Sequence, residues 1–122
     1  MNNKATPSKS SIDSAMALHR QGEYPKAAKI YQKILKQDPK NLLALNLMAE
    51  ASLMLGKSSQ ALQLTERALK LKPNMPSTSL LRANALARMG QEKAAIEGYN
   101  DVLALQPENA PAMLSLGVAL RA

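Results

Sequence analysis

The stretch LGKSSQALQLTERALKLKP, residues 55–73, decides the fold, because its landmarks recur at one interval on both sides of it. Four residue types keep the same phase over three copies that are 34 residues apart. The landmarks are Gly22, Gly56 and Gly90; Ala27, Ala61 and Ala95; Leu35, Leu69 and Leu103; and Pro39, Pro73 and Pro107. Self-similarity at a period of this length is typical of proteins built by stacking similar units.

Each landmark suits one position of a helix-turn-helix unit. The glycines lie between two amphipathic runs, where glycine ends a helix in the left-handed conformation at little steric cost. The prolines close the second run, because proline cannot continue a helix and disfavours helical angles in the preceding residue. The alanines lie early in the second run, where a small side chain lets the paired helix come close. The sequence therefore predicts pairs of short antiparallel helices.

At these phases the chain resembles the tetratricopeptide repeat family. Its 34-residue unit carries Gly or Ala in helix A, Gly at the turn, Ala early in helix B, an aromatic residue later and Pro at the end. The matching residues are Ala15, Gly22, Tyr24, Ala27, Tyr31, Leu35 and Pro39; Ala49, Gly56, Ala61, Ala68, Leu69 and Pro73; and Ala83, Gly90, Ala95, Tyr99, Leu103 and Pro107. The resemblance covers roughly residues 8–122.

The resemblance implies an all-α fold, a right-handed α-solenoid of antiparallel helix pairs with three full repeats and a final single helix. We expect a disordered N-terminal arm at residues 1–7 and repeats at 8–41, 42–75 and 76–109. Residues 110–122 would then form helix A of a partial fourth repeat, or a cap. The apolar end at 110–122 favours a fragment of a longer protein over a complete chain.

Four local expectations follow from the sequence. Asn41 should cap the second repeat's first helix, because its side chain can accept a bond from a free backbone N–H. Residues 42–55 are almost wholly apolar and should form the most buried helix. In the next helix, over about residues 58–71, Leu71 should face inward. Arg82 stands where the family usually has an apolar residue, and the sequence gives no reason for it.

The composition of the 122-residue chain indicates a soluble helical module. Hydrophobic residues make up 46% of it, but Phe, Trp and Cys are absent, so Leu, Ala, Ile and Met must fill the core and disulfides are excluded. The polar start MNNKATPSKSS is not a signal peptide, and no run approaches the roughly 18 apolar residues of a membrane span. We expect a cytoplasmic protein.

A lysine stripe accounts for much of the formal net charge of +7. Lys26, Lys29, Lys33 and Lys36 recur at intervals of three and four, which lines them along one side of a helix. One interpretation is a solvated outer face. The other is attraction to an acidic protein, an anionic lipid or a nucleic acid. Nucleic acid is the least favoured of these, because aromatic stacking residues are nearly absent.

The sequence offers little for catalysis. His19 is the only histidine, and Asp13 and Glu23 belong to no cluster with the spacing of metal ligands. No glycine-rich phosphate loop is present. We therefore expect neither an enzyme nor a cofactor.

The resemblance places the candidate binding residues on helix A of each repeat, which lines a concave groove in this family. Within each helix these residues recur at intervals of three or four, so they share one face. A peptide or short helix could lie there, although the same positions could serve only to pack neighbouring repeats. The predicted groove residues are Ile12, Met16, His19, Asn46, Glu50, Leu53, Leu80, Asn84, Ala87, Leu114 and Val118.

Some relatives hold the C-terminal carboxylate of chaperones with Lys, Arg and Asn in this groove. At the matching positions this chain carries Ile12, Met16, Asn46, Leu80 and Asn84. Because the cationic pair is missing, we expect no such clamp.

Three functions stay open from the sequence. The leading one is a non-catalytic scaffold that binds another protein or peptide. The second is an N-terminal accessory module of a longer bacterial enzyme, such as a glycosyl- or sulfo-transferase. The third is self-association through the apolar C-terminal helix.

Overall fold

The computed structural model describes residues 9–121, and the predicted arm at residues 1–7 lies outside them. The described residues form seven α-helices joined by turns, with no strand among them. None of these helices is long and apolar enough to cross a membrane. The helices are α1 (Lys9–Arg20), α2 (Tyr24–Gln37), α3 (Leu42–Met54), α4 (Ser58–Leu71), α5 (Pro76–Arg88), α6 (Glu92–Leu105) and α7 (Ala110–Arg121).

The turns have the predicted geometry. Gly22, Gly56 and Gly90 have φ angles of 81°, 77° and 81°, in the left-handed region that a Cβ atom disfavours. Asn41 caps α3 as expected, because its side-chain oxygen accepts a hydrogen bond from the backbone N–H of Ala44 at 3.0 Å. A glycine in the left-handed conformation therefore follows the first helix of each pair.

Two rows of helices make up the stack. Each helix packs against its neighbours in sequence, and α1 also contacts α3, α3 contacts α5, and α5 contacts α7. Within residues 9–121, the backbones of α2, α4 and α6 do not approach one another in this way. The stack therefore curves toward the row of α1, α3, α5 and α7, here called the inner row. This arrangement confirms the all-α solenoid.

The helix α3 has the most buried positions, as its apolar sequence predicts. Leu45 is fully buried in it, and Met48 is 4% exposed, because α3 contacts α1, α2, α4 and α5. The expectation for Leu71 was wrong, since its side chain is 41% exposed at the end of α4. Leu71 is the last residue of α4, so the apolar pattern of the helix continues to a position that is open to solvent.

Side-chain hydrogen bonds join neighbouring repeats. The Thr78 hydroxyl at the start of α5 donates to Asn46 Oδ1 in α3 at 2.8 Å, and Thr78 is fully buried. At the end of α5, Arg88 donates to the backbone oxygen of Leu53 at 2.7 Å. Arg82 also has a structural partner, because its guanidinium lies 3.3 Å from the Glu66 carboxylate of α4. The Arg82 side chain is also partly exposed, and together with the ion pair this explains why a cation is tolerated there.

The paired helices α5 and α6 approach closely where two small residues meet. A Cβ atom built on Gly98 of α6 would lie 2.9 Å from the Cβ of Ala83 in α5, which is too close for an unshifted side chain. Ala83 is fully buried, and so are Ala49 and Ala15 at the same phase. Small residues at this phase therefore leave room for the paired helix, and in the third pair both helices carry one.

We expect Gly98→Leu to destabilise the fold by about 1–3 kcal/mol, because the larger side chain must push α6 away from Ala83. The free energy of unfolding from urea denaturation measures the change. Ala104→Leu is the matched control, since Ala104 is exposed on the same helix and its replacement should change stability by less than about 0.5 kcal/mol. Equal stabilities for the two variants would contradict the spacing argument.

Candidate functional site

Four of the predicted groove residues line one cleft at the C-terminal end of the inner row. Asn84 and Ala87 come from α5, and Leu114 and Val118 come from α7. The cavity has a volume of about 400 Å³. Leu114 is 72% exposed and Val118 is 62% exposed, so both present apolar surface to solvent. The α7 side of the cleft is therefore apolar, and the α5 side carries the amide of Asn84.

Five further residues complete this cleft, and the groove prediction did not include them. They are Arg88, Glu92, Tyr99, Ser115 and Ala119. Arg88, Ser115 and Ala119 each lie one position beyond a predicted groove residue, so a wider helical face would have included them. Tyr99 and Glu92 lie on the paired helix α6, which a prediction restricted to inner-row helices cannot reach.

Tyr99 connects the outer helix α6 to the cleft. Its hydroxyl donates to Asn84 Oδ1 at 2.7 Å, and its ring is only 2% exposed. Burial raises the pKa of the Tyr99 phenol, while a hydrogen bond to Ser115 and the charge of Arg88 oppose that rise. The phenol therefore stays neutral and fixes the Asn84 amide. The amide nitrogen of Asn84 has no acceptor among the described residues, so it can donate to a ligand.

A second group of predicted residues meets at the N-terminal end. His19 Nδ1 lies 3.0 Å from the Tyr31 hydroxyl, and His19 Nε2 lies 3.8 Å from Glu50 Oε1. The imidazole ring also meets the Tyr24 ring edge-on, with centroids 5.2 Å apart. The His19 side chain is 12% exposed, and its buried Nε2 has no hydrogen-bond partner. His19 is therefore mostly buried and is held by contacts from α2.

The remaining predicted residues serve packing to different degrees. Ile12 and Leu80 are half-buried against core clusters, and Met16 is half-buried as well. Asn46 uses its side-chain oxygen to hold Thr78, but its amide nitrogen has no acceptor among the described residues. Leu53 is only 4% exposed and packs with Ala61 and Ala85. Leu53 is therefore a core residue and not a groove surface.

Side chains of the types that bind metals do not cluster in the part of the chain that the structure describes. Among residues 9–121, no three His, Cys, Asp or Glu side chains are close enough to hold an ion together. The polar groups that line the cleft are an amide, a guanidinium, a carboxylate and hydroxyls, which can bind a ligand through hydrogen bonds.

Comparison with known proteins identifies the family. The sequence model of the tetratricopeptide repeat family matches residues 18–85. The chain belongs to this family. The Protein CTR9 homolog of Arabidopsis thaliana is 30% identical over 108 residues, which cover 88% of this chain and 10% of that protein. This tetratricopeptide repeat chain thus spans about a tenth of the length of that curated relative.

Solved tetratricopeptide repeat structures share the architecture. The first such domain of Spaghetti (RPAP3), bound to the HSP90 peptide SRMEEVD, superposes with a TM-score of 0.86 at 24% identity. The match covers 91% of this chain and 88% of that one. A mutant O-GlcNAc transferase from Thermobaculum terrenum has a TM-score of 0.86 at 26% identity, covering 98% of this chain and 23% of the transferase.

Ionisation of the buried Tyr31 phenol makes the stability of the fold depend on pH in the alkaline range. Burial, with a smaller effect of the Glu50 carboxylate, raises the Tyr31 pKa from 10.0 to about 12, while the charge of Arg20 opposes the rise. The folded state therefore holds this proton more tightly than the unfolded state. The resulting stabilisation is complete below pH 10 and is lost as the pH rises toward 12.

We expect the wild-type chain to lose about 1 kcal/mol more stability than Tyr31→Phe between pH 9 and pH 11, because only the wild type has this phenol to ionise. Urea denaturation of both proteins at each pH gives the difference, and the variant corrects for lysine titration. Parallel pH profiles would show that the Tyr31 proton is not held more tightly in the folded state.

Proposed function

We propose that the protein is a cytoplasmic, non-catalytic scaffold that binds a segment of another protein along its inner row. The convergence of Asn84, Ala87, Leu114 and Val118 on one cleft is the observation that carries the proposal. The binding units are the predicted repeats at 8–41, 42–75 and 76–109 with the helix at 110–122.

The cleft has the two kinds of contact that peptide recognition needs. The amide nitrogens of Asn46 and Asn84 can donate to backbone carbonyls of an extended segment, which orients it without reading its sequence. Leu114 and Val118 can cover apolar side chains and remove them from water, which supplies affinity. His19 and Glu50 extend this surface at the N-terminal end of the inner row.

A relative that was solved with a bound peptide supports peptide recognition as the class of function. The Spaghetti (RPAP3) domain was solved with a peptide that ends in Glu-Val-Asp. The present chain has Ile12, Met16 and Leu80 at positions where chaperone-binding relatives carry polar or cationic residues. We propose that its segment is apolar, because these side chains cannot pair with carboxylates.

A second surface of the proposed scaffold is the lysine stripe on the outer side. All four lysines of α2 are exposed, and Lys26 pairs weakly with Glu23 at 3.9 Å. An acidic protein could bind there through charge attraction. A nucleic acid is less favoured, because the chain has few aromatic side chains on which bases could stack.

The second candidate function is that of an accessory repeat module in a longer enzyme. It is favoured by the match to the O-GlcNAc transferase, because this chain corresponds to 23% of that enzyme. The reading frame beyond codon 122 tests it. A catalytic domain encoded there would support it, and an immediate stop codon would exclude it.

We expect Val118→Glu to weaken binding of a selected peptide at least about tenfold, because the charge would be desolvated against apolar side chains. Peptides selected from a displayed library of unstructured sequences would serve as ligands in calorimetry. Leu105→Glu is the matched control, since Leu105 is 54% exposed on α6 outside the cleft. Equal losses for both variants, or a library that yields no ligand, would argue against groove binding.

We expect the acidic peptide SRMEEVD to bind this chain more weakly than about 100 µM, because the groove lacks the cationic pair that would hold its carboxylates. Calorimetry at low and physiological salt measures this affinity. Micromolar binding would revive the carboxylate clamp and overturn the apolar-segment proposal.

A further inference from the structure

A second cleft lies on the outer side of the stack, between α2 of the first repeat and α4 of the second. It has a volume of about 400 Å³. We call it the outer cleft. It shares no lining residue with the cleft between α5 and α7, so it can hold a separate ligand. Its polar lining residues are Gln32 and Lys36 from α2, and Gln60, Gln63 and Arg67 from α4.

The outer cleft carries positive charge without a carboxylate to balance it. Lys36 is exposed and forms no ion pair with any residue among 9–121. Arg67 donates to the backbone oxygen of Pro39 at 3.2 Å, and its guanidinium has further N–H groups that can donate to a ligand. No Asp or Glu lines the cavity. Two such cations at one cavity favour an anionic ligand.

Glutamine amides add hydrogen-bonding capacity beside the two cations. The side chains of Gln32, Gln60 and Gln63 form no hydrogen bond with any other residue that the structure describes. Each amide can both donate and accept. The backbone of an extended peptide has N–H and C=O groups that need partners of this kind. The lining therefore suits a peptide backbone as well as a negative charge.

The floor of the outer cleft is apolar. It consists of Leu35 from α2, Met48 from α3 and Leu64 from α4. Leu35 is half-buried, whereas Met48 and Leu64 are 4% and 6% exposed. A methionine side chain is flexible and can adapt its shape to a ligand. An apolar side chain of a ligand can therefore pack on this floor while neighbouring carboxylates reach the exposed cations.

The next repeat does not carry this chemistry. The residues 34 positions after Gln63 and Arg67 are Glu97 and Asp101, which are both acidic. At the phase of the methionine in the floor, the next repeat has Arg82, which already pairs with a carboxylate of α4 at 3.3 Å. The cationic lining is therefore a property of the first outer cleft and does not follow from the repeat pattern.

We propose that the outer cleft binds an extended, acidic segment of a partner protein that has an apolar residue among its carboxylates. The inference deepens the proposal of an acidic partner for the lysine stripe, because it gives that partner a cavity built by two repeats. A flat membrane surface cannot enter between two helices. A nucleic acid would find no aromatic side chain to stack on, since none lines the cleft.

Calorimetry of the full chain with the peptide acetyl-Glu-Asp-Leu-Glu-Asp-Glu-amide tests the proposal. The blocked ends exclude capture of a terminal carboxylate. We expect a dissociation constant of about 30–100 µM at low salt. Salt at about 0.3 M should weaken binding at least about tenfold, because it screens exposed charges. The peptide SRMEEVD should bind more weakly, because its arginine and amino terminus offset part of its negative charge. The neutral peptide acetyl-Gln-Asn-Leu-Gln-Asn-Gln-amide should not bind, and equal binding of the neutral and acidic peptides would overturn the proposal.

We expect Arg67→Asp to weaken binding of the acidic peptide at least about tenfold, because it replaces an attractive charge with a repulsive one. The variant should fold, since α6 carries Asp101 at the same phase. Lys93→Asp is the matched control, because it changes the net charge equally at an exposed position of α6 outside the cleft. Thermal unfolding of both variants verifies that they are folded. Equal losses of affinity would overturn the proposal.

Lys36→Gln should weaken binding at least about threefold. Its control is Lys26→Gln, which removes the same charge about 15 Å away along α2. Equal losses would show that the lysine stripe attracts the peptide without the cleft, and would overturn the cleft while leaving the stripe proposal intact. Val118→Glu should bind the acidic peptide as the wild type does. A loss in that variant would place the peptide in the inner row and overturn the proposal.

Nuclear magnetic resonance locates the peptide directly. The side-chain amide signals of Gln32, Gln60 and Gln63 should shift on titration. Shifts confined to the side-chain amides of Asn46 and Asn84 would overturn the proposal, because those residues lie on the inner row. Vesicles of phosphatidylserine and a single-stranded oligothymidine serve as competing probes. Tighter binding of either probe than of the peptide would overturn the assignment to a protein segment.

Discussion

The close approach of paired helices at one small-residue position per repeat is the constraint on which this structure depends. Ala15, Ala49 and Ala83 are each fully buried, and Gly98 of the paired helix α6 lies directly against Ala83. A methyl group or a hydrogen at this point lets two short helices bring the rest of their side chains into contact. Without Phe or Trp, the core depends on this proximity, because Leu and Met bury enough surface only when the backbones are close.

The same spacing creates the candidate binding surface. Because α1, α3, α5 and α7 contact one another in order, their side chains lie along one side of the stack. Tyr31 and Tyr99, which are two periods apart, reach from the outer row and bond to His19 and Asn84. Thr65, at the intervening position, is too short to do so and donates to the backbone oxygen of Leu62. The outer helices thus fix polar groups at both ends of the inner row but not at its middle.

Sequence periodicity predicted the fold well because backbone requirements are local. Left-handed glycines and the Asn41 cap depend on a few neighbouring residues, so their positions mark the turns reliably. The candidate site was only partly predictable. Tyr99 lines the cleft from the paired helix α6. Leu53 is buried against Ala85 of the next repeat. Arg82 pairs with Glu66 of the preceding helix α4. These outcomes depend on distances between elements, which a single helical face does not encode.

The two hydrogen bonds at opposite ends of α5 have a mechanical consequence. Thr78 is tied to Asn46 at one end, and Arg88 is tied to the Leu53 carbonyl at the other. One such hydrogen bond would leave α5 able to pivot about it, whereas two at opposite ends of the helix oppose both pivoting and sliding relative to α3. The middle of the solenoid should consequently behave as a stiff segment. Elastic bending would then concentrate toward the two ends of the stack.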